Sequence, residues 1–155
     1  MRVSIAAIGR LSRAPETELV TDYLKRAGAS GKSLGLTPVD LIEVESRKSG
    51  KPAEAEALDT AIGDGAWTIA CDERGKALTS RALAEKIASL RDRGERRLVF
   101  VIGGADGLDP AFVEAANETL AFGPQTWPHA LVRAMLAEQI YRAVTILAGS
   151  PYHRD

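Results

Sequence analysis

The chain has 155 residues, the usual length of one domain, so we expect a single domain over residues 1–155. Its 20 Lys and Arg nearly balance 21 Asp and Glu, and the net charge of -1 excludes a general electrostatic attraction to nucleic acid. The single cysteine, Cys71, excludes an intramolecular disulfide framework. We also expect a cytoplasmic protein with no membrane partner, because the N-terminus lacks a signal-peptide pattern and no apolar run approaches the ~20 residues of a membrane span.

The first half of the chain alternates apolar strand patterns with helical patterns. A short apolar strand is followed by a helix that begins at Pro15 and that Gly28 should end. In chain order we predict a strand over 3–8, a helix over 15–28, a flexible loop over 27–38, a strand over 39–44, a basic loop over 46–52 and a helix from Ala53 to about Ile62.

The second half continues the alternation. Ser80 and Asp109 are good N-caps, and Pro110 suits a first helical position. The predicted elements are a strand over 67–71, a helix from Ser80 to Leu90, a strand over 98–102, a short helix after Asp109, a weak strand over 119–122 and a long helix over 129–147. The pattern predicts an α/β fold with a mostly parallel sheet and helices on both faces.

Ligands of open parallel sheets bind beyond the carboxyl ends of the strands. Three strand exits here are rich in unusual residues: CDERGK over 71–76, GGADGLDP over 103–110 and GPQTWPH over 123–129. Gly103 and Gly104 would let a ligand approach the backbone closely. The spacing fits neither a dinucleotide fingerprint nor a P-loop, so a tight strand-to-helix turn is the alternative reading.

The exit GPQTWPH contains two prolines, which make a short loop stiff. Free backbone amides at Gln125, Thr126 and Trp127 would then suit the edge of an adenine ring. A rigid connector with Trp127 packed on the core is the alternative.

The C-terminal residues Tyr152, His153 and Arg154 place an aromatic, a titratable and a cationic side chain together. They form either a functional group or a solvated, frayed tail. The two histidines are 24 positions apart and Cys71 has no companion, so we expect no metal site.

Two basic runs are candidates for phosphate contact or for plain solvated faces. One is the loop with Arg47, Lys48 and Lys51. The other contains Arg91, Arg93, Arg96 and Arg97, and is interrupted by Asp92 and Glu95.

Four motifs in order resemble one family. VFVIGGADGLDP, TWPHALVRAMLAEQIYRA and the terminal PYHRD look like the minimal SPOUT methyltransferases that methylate N3 of a pseudouridine in 23S ribosomal RNA. That family has an IGG-x-x-G loop, an LPH-like loop, a long helix with V-R…EQ-YRA and a terminal PYHR. The resemblance covers nearly the whole chain; Trp127 departs from it, since a smaller aliphatic residue is usual there.

The resemblance implies a C-terminal trefoil knot, a homodimer built on the knot region and last helix, and S-adenosylmethionine as cofactor. Matched motif by motif, the cofactor pocket would be formed by Cys71, Asp72, Gly103, Gly104, Gly123, Pro124, Gln125, Thr126, Trp127 and Pro128. The substrate would be the assembled ribosome, whose shape supplies the specificity that a near-neutral chain lacks.

The chemistry requires an activated acceptor nitrogen beside the methyl group. If the pKa of the N3 imide is roughly two units above 7, its ionisation costs about 2.7 kcal/mol at neutral pH. His153 is the candidate proton acceptor, and Arg154 would stabilise the anion or hold a phosphate, with Tyr152 beside them. His129 and Arg133, one helical turn apart, are further candidates.

Three alternatives stay open at this point. The chain could be a SPOUT enzyme that modifies another RNA nucleotide, or a non-catalytic ribosome-associated protein with a degenerate site. A nucleotide-dependent oxidoreductase is the third, and the missing fingerprint disfavours it.

Overall fold

A five-stranded sheet forms the centre of the computed structural model, which describes all residues, Met1–Asp155. Its strands are β1 (Arg2–Ile8), β2 (Val39–Val44), β3 (Trp67–Ala77), β4 (Arg97–Ile102) and β5 (Glu118–Ala121). They lie in the order β2-β1-β4-β3-β5, and every neighbouring pair is parallel. The α/β class and the parallel sheet predicted from the sequence are therefore confirmed.

Helices cover both faces of the sheet, as predicted. They are α1 (Pro15–Gly31), α2 (Lys51–Ile62), α3 (Ser80–Asp92), α4 (Pro110–Ala115) and α5 (His129–Leu147). The larger apolar core lies between one face and α1, α3 and α5, while α2 and α4 enclose a smaller core on the other face. None of these helices is both long enough and apolar enough to cross a lipid bilayer.

Strand β1 shows why the two cores form. Ile5 and Ala7 point into the larger core, whereas Ala6 and Ile8 point into the smaller one, because successive side chains of a strand alternate between faces. A strand that is buried on both faces reads as a continuous apolar run, which is what this sequence contains.

The prediction that Gly28 ends the first helix was wrong. Helix α1 continues to Gly31 and passes into a 3-10 turn over Lys32–Leu34, so most of the predicted flexible loop is helical. A Cβ at Gly28 would lie 3.9 Å from Val39, which is ordinary packing distance, whereas a Cβ at Gly31 would lie 2.3 Å from the carbonyl oxygen of Leu36. The chain turns back over Gly31, and that position is the one that requires glycine.

Two local predictions around the third strand were also wrong. The N-cap of α3 is Thr79, whose hydroxyl accepts a hydrogen bond from the Ala82 amide at 3.1 Å, while the Ser80 hydroxyl donates to Gln139 on α5. Strand β3 does not end at Cys71 but resumes pairing with β5 after a bulge between Cys71 and Lys76.

The carboxyl ends of all five strands lie at one edge of the sheet, because the strands are parallel. The three motif-rich exits therefore share this edge, after β3, β4 and β5. The strand order does not by itself establish the trefoil knot, which stays a prediction.

Candidate functional site

The glycine loop after β4 is a tight turn closed by its own backbone. The Gly107 amide donates to the Gly104 carbonyl at 3.0 Å, and Gly107 has a φ of +81°. A Cβ at Gly103 would lie 2.6 Å from the carbonyl carbon of Gly107, so no side chain fits there. At Gly104 a Cβ would instead meet the Glu54 carboxylate of α2 at 3.1 Å. Gly103 is thus required by the turn, while Gly104 borders a side chain that can move.

The loop after β5 presents unused hydrogen-bond donors. None of the backbone amides of Gly123, Gln125, Thr126 or Trp127 donates a hydrogen bond within the chain. Pro124 and Pro128 have no amide hydrogen and restrict the backbone on either side. Residues 124–128 are exposed, so this row of donors is open to a ligand. We refer to residues 123–128 as the open-amide loop.

Two side-chain contacts hold that loop in place. The Trp127 indole nitrogen donates to the Phe122 carbonyl at 3.2 Å, which closes the loop across its own base. The Thr126 hydroxyl donates to the Glu73 carboxylate at 3.2 Å and so joins the loop to the exit of β3. Trp127 is therefore not packed on the core: its side chain is 39% exposed and braces the loop from outside.

The exit of β3 forms the bulge between Cys71 and Lys76. The Asp72 carboxylate accepts from the Arg74 amide at 2.9 Å, and Gly75 lies so close to the Leu120 backbone that a Cβ would come within 2.8 Å. Burial raises the pKa of the Cys71 thiol to about 12, so this side chain stays protonated at neutral pH. Cys71 is thus an inert thiol, and any ligand contact here would come from backbone or from Asp72.

A partly apolar cleft of about 620 Å³ opens beside the β5 exit. Phe122 and Gly123 form one side, Thr79 and Ser80 another, and Glu138 on α5 the third. The rest of the lining comes from α1, α3 and α5 and from the ends of β3 and β5, and is mainly apolar. The cleft therefore reaches the first residue of the open-amide loop.

The C-terminal tail folds back on α5 instead of fraying. The Tyr152 hydroxyl donates to Glu138 Oε1 at 3.0 Å, and its ring meets the Tyr141 ring edge-on at a centroid distance of 4.7 Å. Burial, followed by the contact with Glu138, raises the pKa of the Tyr152 phenol, which stays a donor at neutral pH. Because Glu138 also lines the cleft, the tail is attached to the wall of the cleft.

His153 has both ring nitrogens engaged. Arg142 Nη1 lies 3.2 Å from Nδ1, and Asp155 Oδ1 lies 3.1 Å from Nε2. A guanidinium can only donate, so Nδ1 accepts the hydrogen bond from Arg142, while Nε2 carries the proton and donates a hydrogen bond to Asp155. Hydrogen bonding to Arg81 lowers the pKa of Asp155 to about 2, which keeps this acceptor charged. Arg154 is exposed and has no ion-pair partner.

Arg133 is completely buried and ties α5 to the ends of β1 and β2. Its guanidinium donates to the carbonyl oxygens of Ile8 at 2.5 Å and Gly9 at 2.8 Å, and to Glu43 at 3.2 Å. Burial lowers the pKa of Arg133, and the Glu43 carboxylate opposes that shift. Glu43 also accepts from the Leu11 amide at 2.8 Å. Arg133 thus fixes the start of α5, directly after the open-amide loop.

His129 is the first residue of α5 and directly follows the open-amide loop. Its Nδ1 atom is buried without a hydrogen-bond partner, and so is Nε of Arg133. His129 and Arg142 are thirteen positions apart, which corresponds to about 20 Å along the helix axis. The structure therefore separates the candidate residues into two groups, with His129 and Arg133 at the loop end of α5 and the tail at the other.

The family comparison decides what this constellation is. A family model described as "Predicted SPOUT methyltransferase" matches residues 1–153. The chain belongs to the SPOUT methyltransferase family. The enzyme class that the four motifs indicated is thereby confirmed.

Curated members of the SPOUT family match along their full length. Proteins named "Ribosomal RNA large subunit methyltransferase H" are 71% identical in Phenylobacterium zucineum and 63% identical in Caulobacter sp. strain K31, with 100% of both chains covered in each case. The protein of that name in Ruegeria sp. is 53% identical, with 99% of each chain covered.

A solved structure with a related fold comes from Haemophilus influenzae Rd KW20, described as a probable methylase family protein. It has a TM-score of 0.54 at 15% identity and covers 99% of this chain and 70% of the other. This likeness concerns the fold alone.

Sequence reasoning missed three residues that organise the candidate site: Glu138, Arg142 and Glu43. Glu138 and Arg142 form an i,i+4 ion pair on α5 and hold Tyr152 and His153 of the tail. Glu43 was not singled out at all, although it accepts from the buried Arg133. The only available signal was Arg133 itself, which lies among apolar residues on the predicted last helix and, if buried there, requires an acceptor nearby. No group of three or more His, Cys, Asp or Glu side chains is arranged to hold a metal ion.

Proposed function

We propose that this SPOUT methyltransferase transfers a methyl group from S-adenosylmethionine to N3 of a pseudouridine in large-subunit (23S) ribosomal RNA, on the assembled ribosome. The observation that carries the proposal is the full-length identity of 71% to a protein named for large-subunit ribosomal RNA methylation. The motifs that resemble the pseudouridine-N3 enzymes add the acceptor atom.

The open-amide loop fits S-adenosylmethionine. Gly123, Gln125, Thr126 and Trp127 offer donors without partners, and an adenine edge carries acceptors that such donors recognise. The glycine loop would lie alongside, with Gly103 and Gly104 in close backbone approach, and the β3 exit with Cys71 and Asp72 would close the third side. Pro124 and Pro128 would keep the loop shaped for the ligand.

The cofactor supplies an already activated methyl sulfonium when bound. The protein must therefore position N3 of the target and favour its ionised form. In the arrangement that the structure has, Nδ1 of His153 accepts from Arg142, so its lone pair is not free. Arg154, exposed and without an ion pair, is the residue we assign to stabilising the imide anion. His153 would take the N3 proton once the target displaces Arg142 from its ring.

His129 and Arg133 have a different role in this proposal. Arg133 is bound to three acceptors at the ends of β1 and β2, so it positions the loop end of α5 and does not reach the substrate. His129, whose Nδ1 has no partner in the chain, is left for a contact with the bound cofactor or target.

We further propose a homodimer that uses part of the last helix. Among the apolar side chains of α5, Leu136, Ile140 and Val144 are buried in the chain's own core, whereas Leu131 is 38% exposed. Leu19 of α1, which is 46% exposed, lines the cleft beside the β5 exit together with Leu131. Light scattering at micromolar protein should give twice the mass of 16.5 kDa, and a monomer would count against the dimer.

The direct test measures transfer of labelled methyl from S-adenosylmethionine to three substrates: intact ribosomes, deproteinised 23S RNA and bulk tRNA. We expect label in the large-subunit RNA of intact ribosomes and much less in free 23S RNA. Label in tRNA alone would support the alternative SPOUT enzyme of another RNA. Cofactor binding without transfer to any RNA would support a non-catalytic ribosome-associated protein.

A further inference from the structure

The two basic runs of the sequence lie at opposite edges of the sheet. The loop with Arg47 and Lys48 follows β2, so it lies at the carboxyl edge that carries the candidate site. The run from Arg91 to Arg97 ends α3 and begins β4, so it lies at the amino edge. Only the first run is on the side of the molecule where the target RNA would have to bind.

The two runs also differ in how their charges are used. Arg91 donates to the Leu34 carbonyl, Arg93 lies over the Trp67 ring, and Arg97 donates to the Ile62 carbonyl. Those guanidinium groups therefore support the fold. By contrast, no side-chain hydrogen bond or ion pair is made by Arg47 or Lys48, and both side chains are exposed.

A second basic loop adjoins the first. β1 and β2 are paired up to Ile8 and Val44, and the loop after β1 carries Arg13, exposed and without an ion pair. Lys51, in the first turn of α2, is half-buried and also has no ion-pair partner. We refer to Arg13, Arg47, Lys48 and Lys51 as the basic surface.

The acidic groups at this edge are mostly occupied. Glu43 accepts from Arg133 and from the Leu11 amide, and Glu45 pairs with Arg10 at 3.4 Å. On α2, Glu54 approaches Gly104, and Glu56 lines a cavity together with Arg47 and Lys48 but forms no ion pair with either. All four cations of the basic surface therefore remain without an ion-pair partner.

We infer that the basic surface binds the phosphate backbone of the RNA beside the target nucleotide; this inference rests on the proposed function. Lys and Arg side chains without carboxylate partners bind phosphate at little cost, since no existing ion pair has to break. The loop after β2 lies two strands from β4, so these cations share the carboxyl edge of the sheet with the proposed methyl donor at a distance of about 10 Å from the glycine loop. A chain with a net charge of -1 thereby gains a local RNA contact without an added basic domain.

The test compares two double variants that remove the same charge. Arg47→Gln/Lys48→Gln alters the basic surface. Lys32→Gln/Arg96→Gln removes one lysine and one arginine that are likewise exposed and without ion pairs, but at the amino edge of the sheet. For each we would measure kcat and KM for ribosomes, the salt dependence of ribosome binding, and S-adenosylmethionine affinity by calorimetry.

We expect Arg47→Gln/Lys48→Gln to raise the KM for ribosomes about tenfold at low salt and to lower the slope of log affinity against log salt by about two. Its kcat at saturating ribosomes and its cofactor affinity should stay near wild type. Lys32→Gln/Arg96→Gln should change none of these quantities by more than about twofold, since the amino edge makes no RNA contact.

Three outcomes would overturn the inference: equal losses in both variants, no loss in Arg47→Gln/Lys48→Gln, or loss of cofactor binding in that variant. If circular dichroism shows that the double variant is misfolded, Lys48→Gln alone takes its place, with an expected slope change of about one. Failure of the wild-type protein to methylate any ribosome would be a failure of the proposed function, and filter binding of RNA at varied salt would still test the basic surface.

Discussion

The hydroxyl of Tyr152 donates to the carboxylate of Glu138 at 3.0 Å, across fourteen positions of the chain. Glu138 also receives two hydrogen bonds from Arg142, at 3.0 and 2.6 Å. Because Glu138 lines the cleft that also reaches Phe122 and Gly123, this contact attaches the last residues of the chain to the wall of that cleft. The tail is therefore an ordered part of the wall of this cleft.

Deletion of Tyr152 to Asp155 should nearly abolish methyl transfer to ribosomes while the fold remains. The sheet and α5 end before Gly149, so circular dichroism should stay native and cofactor affinity should fall only modestly. The matched variant Tyr152→Phe keeps the ring packed on Tyr141 and loses one hydrogen bond, which costs about 1 kcal/mol of unfolding free energy. Full activity of the truncated enzyme would remove the tail from the mechanism.

The variants His153→Ala and Arg154→Ala should separate two roles through the pH profile of kcat. Without His153 as base, the rate should recover as the pH rises toward the pKa of the N3 imide, where the target ionises unaided. Without Arg154, the rate should stay low over the same range, because stabilisation of the anion is lost at every pH. Parallel pH profiles for the two variants would contradict this division.

Gly104→Val should abolish cofactor binding without unfolding the protein. A Cβ at this position meets the end of the flexible Glu54 side chain, which can move, so circular dichroism should stay native. Gly103→Ala should differ, because its Cβ would collide with backbone of the turn at 2.6 Å and so reduce stability as well. Calorimetry would measure the cofactor affinity of both variants, with Ala61→Val on the exposed side of α2 as control. Unchanged affinity in Gly104→Val would place the cofactor elsewhere.

Arg133→Met should lower the free energy of unfolding by about 3 kcal/mol, because it leaves Glu43 and the carbonyls of Ile8 and Gly9 without their donor. Arg10→Met, which breaks the exposed pair with Glu45, should cost less than about 1 kcal/mol. Urea unfolding compares the two. Equal stabilities would mean that the buried guanidinium does not fix the start of α5.

The sequence patterns were sufficient for the sheet and for most helix positions, because apolar runs and caps are local signals. They failed at Gly28, since whether a glycine ends a helix depends on what lies opposite: Val39 leaves room at Gly28, while the Leu36 carbonyl leaves none at Gly31. They also gave no means to choose between Thr79 and Ser80 as N-cap, because both residue types favour that position; the extended backbone of Thr79 and the bond from Ser80 to Gln139 decide it.

At the candidate site, the motifs pointed to three strand exits that the parallel sheet brings to one edge, but not to how these exits are joined. The contact between Thr126 and Glu73 spans 53 positions, and that between Arg133 and Glu43 spans 90. Order in the tail depends on Tyr141 and Glu138, which the sequence presents as ordinary helix residues. Such pairings arise from the fold and have no local signature.

The central claim is tested most directly by nucleoside analysis of methylated ribosomes. Ribosomes from cells that lack this gene would be incubated with the protein and S-adenosylmethionine, and the 23S RNA would be digested and analysed by mass spectrometry. We predict a single new nucleoside, pseudouridine that carries one methyl group on N3. A methyl group on any other nucleoside, or none on ribosomal RNA while the cofactor binds, would contradict the account.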